Sequence, residues 1–147
     1  MPITNIYQPE SLIVSGLQTL FPANMIFVES GLEGLTNEIF YDIADPADKV
    51  AVLVINAGFK ADPPVGNNRS PIQRLKGYWQ IVVVCPSELY YTVGGVKFIE
   101  VVNHFKGLHL GDLGMMKLID DERGFNKPDY LNDMVYLPML FSVDEIV

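Results

Sequence analysis

Apolar residues recur along the chain at two spacings. Pro9 suits a first helical turn because its missing N–H is not needed there, and Ile13, Leu17, Leu20 and Phe21 follow at helical spacing, so residues 9–21 are predicted to form a helix. Gly16 inside it costs roughly 1 kcal/mol relative to alanine and points to close approach of another backbone. Pro22 stops this helix. Residues 25–29 and 38–43 read as the strands of a hairpin around a turn at Gly31 and Gly34, and residues 50–55, a β-branched apolar run, as a buried strand.

Gly58, Pro63, Pro64, Gly66, Asn67 and Asn68 crowd residues 56–71, which predicts a long exposed loop. Residues 72–85 read as one long strand, bent at Gly77 and ended by Pro86. Thr92 is placed to cap a second helix in which Phe98, Val101, Val102 and Phe105 repeat at i, i+3, i+4 and i+7, with Gly107 to end it. Residues 115–119 and 130–143 then form a closing pair of strands across an acidic turn at Asp120, Asp121 and Glu122, with Pro138 marking an edge or a bulge in the last strand.

Short connections between neighbouring strands imply an α+β fold: a mainly antiparallel sheet with two helices packed on one face, in a single domain spanning residues 1–147. Residues 50–55, 81–85 and 134–141 are apolar at both alternating sets of positions, so both faces of the sheet seek burial. Two helices of about 12 residues cover about one face of such a sheet. The other face is expected to meet a curled extension of the same sheet or a second subunit.

Composition narrows the partners. The chain has 147 residues, 49% of them apolar, and a formal charge of −8, which disfavours nucleic acid and anionic lipid as partners of the whole surface. Against that balance, Arg69, Arg74 and Lys76 fall in a stretch from Asp62 to Glu88 that holds no acidic residue between those two. With Tyr78 and Trp79 beside them they have the composition of a small nucleic-acid patch, but contact with an acidic surface on a neighbouring copy is the preferred reading. One cysteine, Cys85, allows no disulfide within the chain and fits a reducing compartment. No stretch is long and apolar enough for a membrane helix, and residues 1–8 do not read as a leader.

Candidate chemistry is sparse. His104, His109 and Asp112 lie close in sequence, but Gly107 separates the histidines and no fourth ligand is evident, so a solvent-exposed helix end is the simpler reading. Asp120, Asp121, Glu122, Asp129 and Asp133 lack the alternating ligand spacing of a calcium loop. Neither a GxGxxG nor a GxxxxGK[ST] phosphate cradle occurs, nor a GxSxG nucleophile turn, and Cys85 at the end of an apolar run is expected to be inert packing. No catalytic residue, cofactor or metal is assigned, and the chain is expected to act through protein contacts rather than as an enzyme.

In its layout the sequence resembles the tail-terminator proteins of long-tailed bacteriophages, of the lambda-type and Mu-like kind. The likeness lies in an opening helix, the hairpin of residues 25–43, the core strand Lys49, Val50, Ala51, Val52, Leu53 and Val54, a long loop, and a strand bearing Tyr78, Trp79, Gln80, Ile81 and Val82. It continues through the Cys85, Pro86 exit, a second helix and a final strand pair. It spans nearly the whole chain and rests on pattern rather than on a signature motif.

The resemblance implies a structural virion protein at the head-proximal end of the tail, assembled in the host cytoplasm. Its partners would be further copies in a hexameric ring, the tail tube protein, the head-tail connector or neck protein and, in a contractile tail, the sheath. One face of the ring would cap the tube and stop polymerisation, and DNA would pass an acidic channel without specific binding. On this reading the loop bearing Asp62 reaches a neighbour or the tube. Arg69, Arg74, Lys76 and Trp79 form a subunit contact, and the tail with Val143, Asp144 and Glu145 lies along an adjacent sheet edge. Another phage neck or head-tail joining adaptor is the nearest alternative, and a small ligand-binding domain or enzyme the more distant one.

Overall fold

The computed structural model describes residues 8–28, 50–61, 74–110, 114–119, 127–131 and 133–146. Helix α1 spans Gln8–Leu17, and a short 3₁₀ turn at Ala23–Met25 leads into strand β1, Ile26–Val28. Long strands β2 (Ala51–Ala61) and β3 (Arg74–Pro86) follow, then helix α2 (Gly95–Phe105) and strands β4 (Met116–Ile119), β5 (Asp129–Leu131) and β6 (Met134–Ile146). The fold is α+β, with a mixed six-stranded sheet in the order β1-β2-β3-β6-β4; β5 also pairs with β6.

Pairing along the centre of the sheet is antiparallel, as expected, but β1 runs parallel to β2, with Phe27 opposite Leu53. Strand β1 therefore finds its described partner in β2. The second strand of the predicted hairpin, residues 38–43, lies outside the described residues, as do the turn at Asp120, Asp121 and Glu122 and residues 62–73 of the predicted loop and strand.

Residues 56–61, expected to open that loop, instead continue β2. Asn56 lies opposite Trp79 and Gly58 opposite Tyr78, so Ala57 is an extra residue. Gly58 at φ 106° supplies a conformation other side chains resist, and its N–H donates to Asn56 Oδ1 at 2.8 Å. Turn formers here make a bulge within a strand rather than a loop. Likewise the predicted strand at 130–143 is two strands, β5 and β6, joined through Asp133 at φ 64°. Pro138 stands in β6 between the stretch paired with β5 and the stretch paired with β4, where the neighbour on that side is interrupted.

Both helices cover one face. Ile13 and Leu17 of α1, Phe21, and Val101 and Phe105 of α2 pack over Val52, Val54, Trp79, Ile81, Val83, Cys85, Met139 and Phe141. The Trp79 ring is buried in this core, and its Nε1–H has no partner among the described residues. Gly16 does mark a close approach, but to side chains rather than to a backbone: a Cβ there would meet Phe105 Cζ at 2.9 Å and His104 Nε2 at 3.1 Å. Lys97 ties the helices together, its ammonium donating to the Leu20 carbonyl at 2.9 Å and standing 5.4 Å from the centre of the Phe21 ring.

The other face is also closed to solvent over much of its area. Met25, Ala51, Leu53, Val82, Val84 and Met134 form a second buried cluster with Phe27, Ile55 and Tyr136 at its edge, and Leu140 and Ser142 are buried farther along β6. These positions are shielded within one chain, so a second copy is not required to cover them. Surfaces available for association must be sought elsewhere.

Candidate functional site

Helix α2 is reached through an irregular entry. A 3₁₀ turn at Ser87–Leu89 passes into a π-helical turn at Tyr90–Gly94, and the Thr92 hydroxyl donates back to the Leu89 carbonyl at 3.4 Å instead of capping the helix. Gly94 is pressed against Cys85, so close that any Cβ at 94 would overlap the sulfur. That contact fixes the turn on the end of β3, with Tyr90 half-buried against the core and Tyr91 turned out to solvent. At the far end α2 stops as predicted at Gly107, which takes φ 76°.

Tyr90 and Tyr91 meet edge to face at 4.8 Å, and Tyr90 lies 6.2 Å from Tyr130 of β5. Tyr90 and Tyr91, with Val96, Phe98 and Ile99 of α2, Pro128 and Leu137, line a groove of about 580 Å³. Glu100 is the charged residue of its lining and is paired with Lys97 at 3.3 Å. Large apolar and aromatic side chains stand open around it: Tyr91 is 89% exposed, Tyr130 63%, Val96 56% and Ile99 53%. Removing such surface from water yields about 25 cal/mol per Å², so the groove favours a partner that covers it.

This surface was missed in the sequence, although a signal was present. Val96 and Ile99 are three apart on α2 and fall off the stripe of Phe98, Val101, Val102 and Phe105, so the helix has two apolar faces where a core contact needs one.

The residues nominated from sequence for subunit contact separate. Trp79 and Val143 have 0% exposure and belong to the core beneath the helices, which withdraws them as contact residues: the alternation of β3 and β6 points both inward. The tail is not free to lie along a neighbour's edge as far as Ile146. It is the end of β6, held on one side by β3, with Lys76 opposite Asp144, and on the other by the Gly114 N–H donating to the Asp144 carbonyl at 3.1 Å. Lys76 and Asp144 are partly exposed and paired at 4.0 Å. Arg74 and Glu145 lie in β3 and β6, whereas Asp62 and Arg69 lie outside the described residues.

His104 stacks edge to face with Phe105 at 4.8 Å, and His109 is exposed, bridging to Met115; Asp112 is outside the described residues. Among the described residues no three His, Cys, Asp or Glu side chains gather as a metal site would require. Burial pushes the Cys85 thiol from its ordinary 9.0 up to about 11, the environment of packing rather than of a nucleophile. Burial, with the Asp129 carboxylate near it, also lifts the Tyr136 phenol above its ordinary range. Among the described residues no helix is long and apolar enough to cross a membrane.

No protein-family model matches the sequence, and no curated protein matches it.

Proposed function

We propose that this chain is a structural assembly subunit that works through the surface around Tyr91, Val96, Ile99 and Tyr130, and that the assembly is the ring ending a bacteriophage tail. The observation that carries the contact function is the open aromatic groove: large apolar side chains gathered on one patch favour coverage by a partner. The tail-terminator assignment is supported by the resemblance in element order. An opening helix, a core strand, the strand with Tyr78, Trp79 and Gln80, the Cys85, Pro86 exit, a second helix and closing strands occur in that order. The hairpin of residues 25–43 contributes only its first strand to that support.

On this proposal, copies form a hexameric ring that docks on the last ring of tail tube protein, denies the next tube subunit a site and presents its other side to the head connector. A net charge of −8 suits a channel through which DNA slides without being gripped. The test is direct. Purified protein is added to growing tail tubes and to empty heads; binding at one tube end with arrest of growth is expected, and binding to heads alone would favour a neck adaptor instead. A second reading rests on the volume of the groove, which lies in the range of small-ligand sites. A small molecule that raises the melting temperature and is displaced by Ile99→Asp would support it.

A further inference from the structure

We infer that copies of this chain meet head to tail, the lysine-bearing end of one sheet seating against the aromatic groove and its acidic rim on the next copy. The inference rests on the self-association proposed above and adds which surfaces meet. Strand register places Lys60 opposite Lys76 and Lys76 opposite Asp144, in one row across β2, β3 and β6. Lys117 reaches the same carboxylate from β4, at 3.9 Å. One carboxylate thus serves two ammonium groups, and Lys60 adds a further positive charge at the end of the row. Lys106 belongs to the same end, because the neighbouring Gly107 N–H donates to the Met116 carbonyl at 2.8 Å. Leu108, Met115 and Leu118 are exposed among these lysines.

The opposite end of the same strands carries the opposite charge. Among the described residues Glu88, Asp129 and Asp133 are exposed there, with Lys127 beside them, and the Ser87 N–H donates to the Asp133 carbonyl at 2.8 Å. Asp129 directly follows Pro128, which lines the groove, and precedes the exposed Tyr130. From Lys76 to Pro86 β3 runs roughly ten residues, which separates the two ends by about 33 Å. Each end therefore combines exposed apolar side chains with a charge of its own sign.

That separation selects the occupant. A two-fold contact confined to one end would set lysines against lysines or carboxylates against carboxylates, whereas a head-to-tail contact joins unlike ends and, when the rotation closes, makes a ring. A polyanion at the lysine end is opposed by the formal charge of −8. A second copy brings an acidic, aromatic surface matched to it.

A charge swap tests this. Lys60→Glu with Lys117→Glu makes both ends acidic, and Glu88→Lys with Asp129→Lys makes both basic. All four positions are exposed, and circular dichroism and thermal melts check folding. Mass by light scattering is measured for wild type, each double variant and their equimolar mixture at about 0.1 M salt, where screening extends over about 10 Å. Each variant alone is expected to need at least a tenfold higher concentration to assemble, and the mixture to recover the wild-type mass. Unimpaired assembly of either variant, or no recovery on mixing, overturns the head-to-tail pairing while leaving assembly itself intact. A wild type that stays monomeric to the highest soluble concentration, with or without tail tubes, overturns the self-association beneath it. Retention of a DNA duplex by wild type, lost in the lysine variant with assembly unchanged, gives that end to a polyanion and overturns the pairing.

Discussion

The contact of Gly94 with Cys85 holds the Tyr90–Gly94 turn to the sheet, and its strength is accessible through a double-mutant cycle. Gly94 has φ −63° and ψ −48°, so its backbone accepts alanine without strain. The obstacle is the Cys85 sulfur, since the next atoms a methyl would meet, Cys85 Cβ at 3.4 Å and the Leu89 carbonyl oxygen at 3.5 Å, are at ordinary contact distance. Overfilling a packed site costs about 1–3 kcal/mol, and replacing a helical glycine by alanine returns about 1 kcal/mol, so Gly94→Ala should destabilise by about 0–2 kcal/mol. Cys85→Ala removes the sulfur and leaves a small cavity, a loss of about 1 kcal/mol. In the double variant the new methyl occupies the space of the sulfur, and the pair should be more stable than the sum of the single effects by about 1–3 kcal/mol. Urea unfolding followed by the fluorescence of Trp79, the single tryptophan, measures all four proteins. Additivity within about 0.5 kcal/mol would show that the two residues do not press on one another.

Other consequences follow from single residues. Cys85 should resist iodoacetamide at pH 8 in the folded protein and react on unfolding in urea; fast alkylation of the native state would contradict its burial. Because its thiol ionises near 11 when folded and near 9.0 when unfolded, stability should be unaffected below pH 9 and fall by up to about 3 kcal/mol as pH rises through 11. Cys85→Ala should remove that part of the alkaline slope. Lys97→Met keeps the apolar stem but strips the donor from the Leu20 carbonyl and the charge from the Phe21 ring; a loss of about 1–2 kcal/mol in urea unfolding is expected, and no loss would show the bond to be idle. Ile99→Asp on the open wall of the groove should leave stability within about 0.5 kcal/mol and reduce self-association, and an unchanged assembly would remove the groove from the interface.

The parts of the fold visible in sequence were those where one physical demand dominates. The β-branched runs within residues 51–54 and 81–84 become central strands, and Val101 and Phe105 give α2 its buried stripe. What escaped detection depends on competition between local and long-range effects. Asn56 and Gly58 have the chemistry of a turn, yet the ladder with β3 absorbs them as a bulge, because pairing resumes beyond Ala57 with the register shifted by one residue. Thr92 has the chemistry of a cap, but its hydroxyl is engaged by Leu89 and the helix begins later. The parallel pairing of β1 with β2 has no short-range signal. The groove has one, in Val96 and Ile99, which was hidden because apolar residues on a helix are read first as core. Trp79 and Val143 failed as surface residues for the converse reason: their charged neighbours Lys76 and Asp144 mark the outer face, and alternation along β3 and β6 sends the two apolar side chains inward.

Negative-stain microscopy of the purified protein, alone and with tail tubes, decides whether the chain builds a ring. Rings with a central hole and sixfold symmetry are expected, free in solution or seated at one end of each tube. Single dispersed copies under both conditions, with bare tube ends, would contradict the ring.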